Sequence, residues 1–219
     1  MEIKSLKIYS YNFKEQLDFY KEVLGFDIEV HTESFKLLSQ ENELIVEKSD
    51  DLFYYHFAFL IPTGSLRAAI KFLESKDIEL LLHHGSKIIN FKTGEAIYFY
   101  DKDGNIVEFI ERPDLDYLHK STFSIKDIIK LNEIGLPVDN PKEVANILTT
   151  NYGIKPINTK GFTSKFCWVG DFNGVIIVTK KGRNWLPTDK PGIINDFSIK
   201  YEENGTLYNF TINRNFITS

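Results

Sequence analysis

Apolar residues recur along this chain mostly with a period of two, broken by three stretches with helical spacing. Residues 3–11 (Ile-Lys-Ser-Leu-Lys-Ile-Tyr-Ser-Tyr) alternate roughly between apolar and polar, which predicts a half-buried strand. Asn12 then caps a helix expected over 14–24. Leu17, Phe19, Tyr20, Val23 and Leu24 form its apolar stripe, and Gly25 is its stop. Short strands follow at 26–30, 35–39 and 44–47, giving the order βαβββ. The apolar run 53–61 opens a second unit, with a helix over 65–75 carrying Leu66, Ala69, Ile70 and Leu73 on one face. Strands are expected after it at 78–82, 87–90, 96–100 and 105–110. The last of these is launched by Asp101-Lys102-Asp103-Gly104, where the Asp-Gly step favours a tight hairpin.

The pattern then repeats. Residues 113–121 are polar, follow Arg112-Pro113, and read as a linker. A strand is expected over 130–138, and a helix starts at Asn140-Pro141, with proline in its first turn, and ends at Gly153. Strands at 155–158, 166–169 and 175–179 complete a third unit. A fourth remains partial, with strands at 197–201 and 207–212 joined by the Asn204-Gly205 turn. The expected organisation is one domain of paired modules over 1–112 (1–49 and 52–112) and a second region over 122–219. That region holds a third module and a hairpin, completed by the hairpin itself, by the other domain or by a second subunit.

Composition narrows the class. The chain has 219 residues, 18 of them Phe and 11 Tyr, a content that favours strands over helical bundles. A net charge of −5 argues against nucleic acid as a partner. No apolar run is long enough to span a bilayer and no leader pattern opens the chain, so a cytoplasmic protein with no membrane partner is expected. The single cysteine, Cys167, rules out a disulfide framework. Between Phe166 and Trp168 it reads as a core residue.

Two residues stand out chemically. His56 lies in the buried run Tyr54-Tyr55-His56-Phe57-Ala58-Phe59, and Glu108 lies in Asn105-Ile106-Val107-Glu108-Phe109-Ile110. A carboxylate on a buried strand is costly unless a metal, a base or solvent in a cleft compensates it. These two segments, in this order with a helix between them, resemble the vicinal-oxygen-chelate superfamily of glyoxalases, bleomycin-resistance proteins and extradiol dioxygenases. The segment Phe19-Tyr20-Lys21-Glu22-Val23-Leu24-Gly25-Phe26 resembles the helix end of a first module of the same kind. The resemblance implies an α+β fold of repeated βαβββ modules forming curved, cup-shaped mixed sheets. It also implies a small oxygen-bearing ligand, a divalent metal (Fe, Mn, Ni or Zn) and His56 and Glu108 as its ligands.

The third ligand is less plain. The resemblance places Ser5 where the family often has His, and an un-ionised hydroxyl is a poor ligand. Glu47, at the end of the first module's last strand, is the replacement the resemblance offers, against a reading as a solvated strand-end Glu. His31 falls in a polar turn, and the neighbours His83 and His84 point to opposite faces of any strand. Tyr98, on the strand beside Glu108, is the expected proton donor or substrate hydrogen bond. In the third module Glu133 stands at the first-strand ligand position, with Val178 as its last-strand counterpart, which makes no metal site and suggests a structural or substrate-side wall. Arg183 and Trp185 fit an anionic or planar ligand, or else packing at a strand end. Two functional readings stay open: a metal-dependent lyase or ring-cleaving dioxygenase, and a metal-free binding protein of the bleomycin-resistance type, with a homodimer supplying a second wall.

Overall fold

In the computed structural model, four groups of elements follow one another. The structure describes residues 1–219 apart from 116, 158–161, 214, 215 and 219, with only the backbone of 216–218. The first group is β1 (Glu2–Ser10), α1 (Phe13–Asp18) running on into a π-helical turn (Phe19–Leu24), β2 (Ile28–Val30), β3 (Ser34–Leu38) and β4 (Glu43–Lys48). The second is β5 (His56–Leu60), α2 (Leu66–Glu74), β6 (Ile89–Phe91), β7 (Gly94–Tyr100) and β8 (Ile106–Glu111). The third is β9 (Lys130–Val138), α3 (Pro141–Tyr152), β10 (Phe166–Asp171) and β11 (Gly174–Lys180), and the last is β12 (Phe197–Glu203), β13 (Thr206–Asn213) and β14 (Phe216–Thr218).

The elements follow the hydrophobic pattern closely, with local departures. Residues 78–82 form no strand; a bridge joins Leu80 to Phe99, and Leu80 and Leu81 pack against the sheet's two faces. Of the strand expected over 155–158, Pro156 bridges Val169, and Asn158 lies outside the described residues. The turn between β12 and β13 places Asn204 and Gly205 at φ +51° and +76°, the pairing that two-residue hairpins require.

Among the described residues the strands form two seven-stranded sheets. One has the order β14-β13-β12-β1-β4-β3-β2 and the other β10-β11-β9-β5-β8-β7-β6. Strand pairing therefore cuts across the expected grouping of residues 1–49 with 52–112. β1 pairs with β12 antiparallel, so the first module shares its sheet with the C-terminal hairpin. β5 pairs with β9 antiparallel, so the second module shares its sheet with the third. The reason is that a period-two pattern marks a strand and its buried face but carries no record of which free edge it will meet.

One face of the second sheet (Phe57, Phe59, Val107, Phe109, Leu131, Ile134) merges with the first sheet's Leu6, Ile8, Phe35, Val46 and Tyr201 in a single core. Asn42 ties the two sheets. Its side-chain amide donates to the Ile3 and Leu131 carbonyls at 3.0 and 2.9 Å, and its oxygen accepts from the Leu131 N–H at 2.8 Å. The opposite face of the second sheet builds a smaller cluster from Ala58, Leu60, Tyr98, Ile106, Ile110, Ile177 and Trp185. The concave side lies here. Among the described residues no helix is long and apolar enough to cross a membrane.

Candidate metal centre

The register of four adjacent strands sets the floor of the cup. Ala58 on β5 lies opposite Glu108 on β8 and Glu133 on β9, and Tyr98 on β7 lies opposite Glu108. A row Tyr98–Glu108–Ala58–Glu133 thus crosses the sheet, and alternation puts His56, two residues before Ala58, on the same face. Because Ala58 is only a methyl, two carboxylates flank an almost bare strand. His56, Glu108 and Glu133 are all buried, and each offers a ligand atom within 4.8 Å of the others. His56 Nε2 is 3.4 Å from Glu108 Oε2, close to the roughly 3 Å that separates neighbouring ligand atoms around an ion bound at about 2.1 Å.

Each side chain is oriented by a second contact. The other ring nitrogen of His56, Nδ1, lies 3.1 Å from the Ile106 carbonyl, which fixes Nε2 toward the cup. The Tyr98 hydroxyl donates to Glu108, and its own pKa is raised well above the usual phenol value by burial first and by the Glu108 charge second. Glu133 is ion-paired with Arg112 Nη2, and both side chains are buried. Arg112 also donates from Nε to Asn132 Oδ1 at 2.9 Å and lies 5.1 Å over the Phe172 ring.

Burial dominates the electrostatics. It lowers the His56 pKa from 6.5 to about 4, with the Ile106 carbonyl opposing, so the imidazole is neutral. Glu108 is raised well above its usual value by burial and by the Glu133 charge, with Arg112 pulling the other way. Burial likewise pushes Glu133 up, against the pull of Arg112. A neutral imidazole with two buried carboxylates is a donor set suited to a hard or borderline divalent cation.

The cavity above this floor holds about 120 Å³ and is walled by Phe91, Phe166, Trp168, Ile177 and Trp185, with Arg183 also lining it. Trp185 packs 4.9 Å from the His56 ring. Its position depends on Gly135 in β9, where a Cβ would come within 2.4 Å of the Trp185 ring.

The structure brings His56, Glu108 and Tyr98 together, as the sequence pattern suggests, and places the other candidates elsewhere. Glu47 lies on the first sheet opposite Tyr9, half-buried, with Lys7 Nζ 3.2 Å from its carboxylate, and contributes nothing to the cup. Ser5 is on that same sheet between Glu43 and Lys200. His31 is exposed, and His83 and His84 share a turn in which His84 adopts φ +49°. Val178 faces the core; the residue opposite Glu133 on β11 is Val175. Cys167 is buried in the core, and burial pushes its thiol up. A second carboxylate beside His56 and Glu108 comes from Glu133 of the third module. The sequence signal for it is a carboxylate inside the buried strand β9, but its partners depend on the β5–β9 pairing.

No protein-family model matches the chain, and no curated protein does. Solved structures do match. A candidate dioxygenase from Bacillus subtilis superposes with a TM-score of 0.62 at 16% identity, covering 95% of this chain and 84% of that one. A lactoylglutathione lyase from Agrobacterium tumefaciens matches 52% of this chain and 96% of its own, at 14% identity and a TM-score of 0.45. A glyoxalase/bleomycin resistance protein/dioxygenase from Alicyclobacillus acidocaldarius matches 52% and 92%, at 19% identity and a TM-score of 0.42. At such identities the match over 95% of this chain speaks for the fold alone: an α+β protein of curled mixed sheets, like the Bacillus subtilis structure.

Proposed function

We propose that the cup of the second sheet binds a small oxygen-bearing molecule through a divalent cation held by His56, Glu108 and Glu133. The observation that carries this reading is the convergence of one neutral imidazole and two buried carboxylates, from three different strands, at the base of a cavity with room for a ligand. When bound, a cation of the Fe(II), Mn, Ni or Zn class supplies Lewis acidity toward ligand oxygens. The chain's own residues do the rest. His56 is aimed by the Ile106 carbonyl and Glu108 by Tyr98, which keeps its phenolic proton on the shared hydrogen bond. Arg112 holds Glu133, and the aromatic wall excludes water.

A second reading, metal-free ligand capture, is favoured by one observation. Arg112 already gives Glu133 a counter-charge, and burial favours the protonated form of Glu108, so the floor can be neutral without a metal. Elemental analysis of protein purified without chelator, followed by titration with Fe(II), Mn(II), Ni(II) and Zn(II), separates the two. About one metal per chain, lost in His56→Ala and Glu108→Ala variants that remain folded, supports the first reading. No metal under any condition, with the variants changed only in stability, leaves the second.

A further inference from the structure

Beyond the His56, Glu108 and Glu133 floor, the cavity is offered one cation and one hydrogen-bond donor that have no acceptor among the described residues. Arg183 lines the cavity and stacks 5.0 Å over the Phe166 ring, and it makes no ion pair among the described residues. The indole N–H of Trp168, on another lining residue, is buried with no acceptor. Among the described residues that line the cavity, no carboxylate or side-chain carbonyl is left over to match them. Glu133 is held by Arg112, and Glu108 lies between Tyr98 and His56. An orphaned buried donor is costly, so the missing acceptor is expected from a ligand.

The charge count points the same way. Arg112 and Glu133 compensate each other, and Arg183 brings the cavity a positive charge with no ion-pair partner among the described residues. An unpaired guanidinium lining a largely apolar cavity favours an anionic group. The walls are aromatic or aliphatic, and a space of about 120 Å³ is of the order of one small ring.

We infer that the cup takes a monoanionic ligand with a compact apolar or aromatic body, such as a single-ring carboxylate, whose charged end is recognised by Arg183 and the Trp168 N–H. This rests on the cup being the ligand site, and the metal adds to it without being required.

Benzoate and its neutral isostere benzamide test the inference, read by quenching of Trp168 and Trp185 fluorescence, with and without Mn(II). The expected result is saturable benzoate binding, about tenfold or more tighter than benzamide and weakened by a similar factor in Arg183→Gln, a substitution on an exposed side chain. Trp168→Phe, which keeps the ring and removes the N–H, should also weaken benzoate selectively. Benzoate binding no tighter than benzamide, including no saturable response to either, overturns the inference, as does indifference to Arg183→Gln. Charge-selective binding in a protein that takes up no Mn(II) upholds the anion site while the metal reading falls. Mn(II) uptake without charge selectivity does the reverse.

Discussion

Arg112 and Glu133 form an ion pair in which neither side chain is more than 7% exposed. Such a pair adds little net stability relative to apolar packing, but removing one member strands the other in low dielectric, at about 3–5 kcal/mol. Arg112→Met should therefore cost the metal-free protein about that much in urea unfolding. Under the metal reading a divalent cation supplies the counter-charge that Arg112 no longer gives. Mn(II) should then stabilise Arg112→Met more than the wild type. Equal stabilisation of the two proteins would mean that the cation does not reach Glu133.

Glu47 and Glu133 offer a sharper contrast, because the sequence resemblance offers the first as a third ligand, while the structure places the second beside His56 and Glu108. Glu133→Gln removes a charge from the floor and should lower Mn(II) affinity by 10–100-fold or more. Glu47→Gln disturbs only a half-exposed pair with Lys7 on the other sheet, worth about 0–1 kcal/mol, and should leave metal affinity unchanged. Isothermal titration of both variants decides the matter, and a larger loss at Glu47 would sink the assigned centre.

That contrast also shows what was legible in the chain. His56, Glu108 and Tyr98 could be read because each sits inside a strand whose alternation is local, and because the Asp101–Gly104 turn fixes how β7 and β8 pair. Glu133 could be seen but not placed. Its relation to Glu108 passes through Ala58 and depends on two strands 70 or more residues apart meeting edge to edge. Likewise nothing local says that β12 will close the first sheet against β1. Gly135 looks like a weak point in a strand until the Trp185 ring is found lying on it.

The imidazole of His56 gives a pH prediction of definite sign. Its folded-state pKa is lowered to about 4 from an ordinary 6.5, so between those values the folded protein binds fewer protons than the unfolded chain. The stability this contributes is fully present above pH 6.5 and is lost as pH falls toward 4, about 3 kcal/mol in all. In chelator-treated protein the His56 ring resonances should stay fixed from pH 8 to 5 and move only near 4. A midpoint near 6.5 would show that water reaches the ring and that the cup floor is wet.

Asn42 is the last test, because it connects the fold to the site. Three of its side-chain hydrogen bonds join Ile3 on β1 to Leu131 on β9, and Glu133 lies two residues further along β9. Asn42→Ala leaves two buried carbonyls and one N–H without partners, which should cost about 2–4 kcal/mol in urea unfolding. Asn42→Asp keeps an acceptor for the Leu131 N–H but turns a carboxylate toward the two carbonyls, so at neutral pH it should cost more than alanine. If β9 is held in register by this contact, both variants should also weaken Mn(II) binding while His56 and Glu108 remain in place. A stability loss with unchanged metal affinity would show instead that the pairing of β9 with β5 is sufficient to hold Glu133 in the cup.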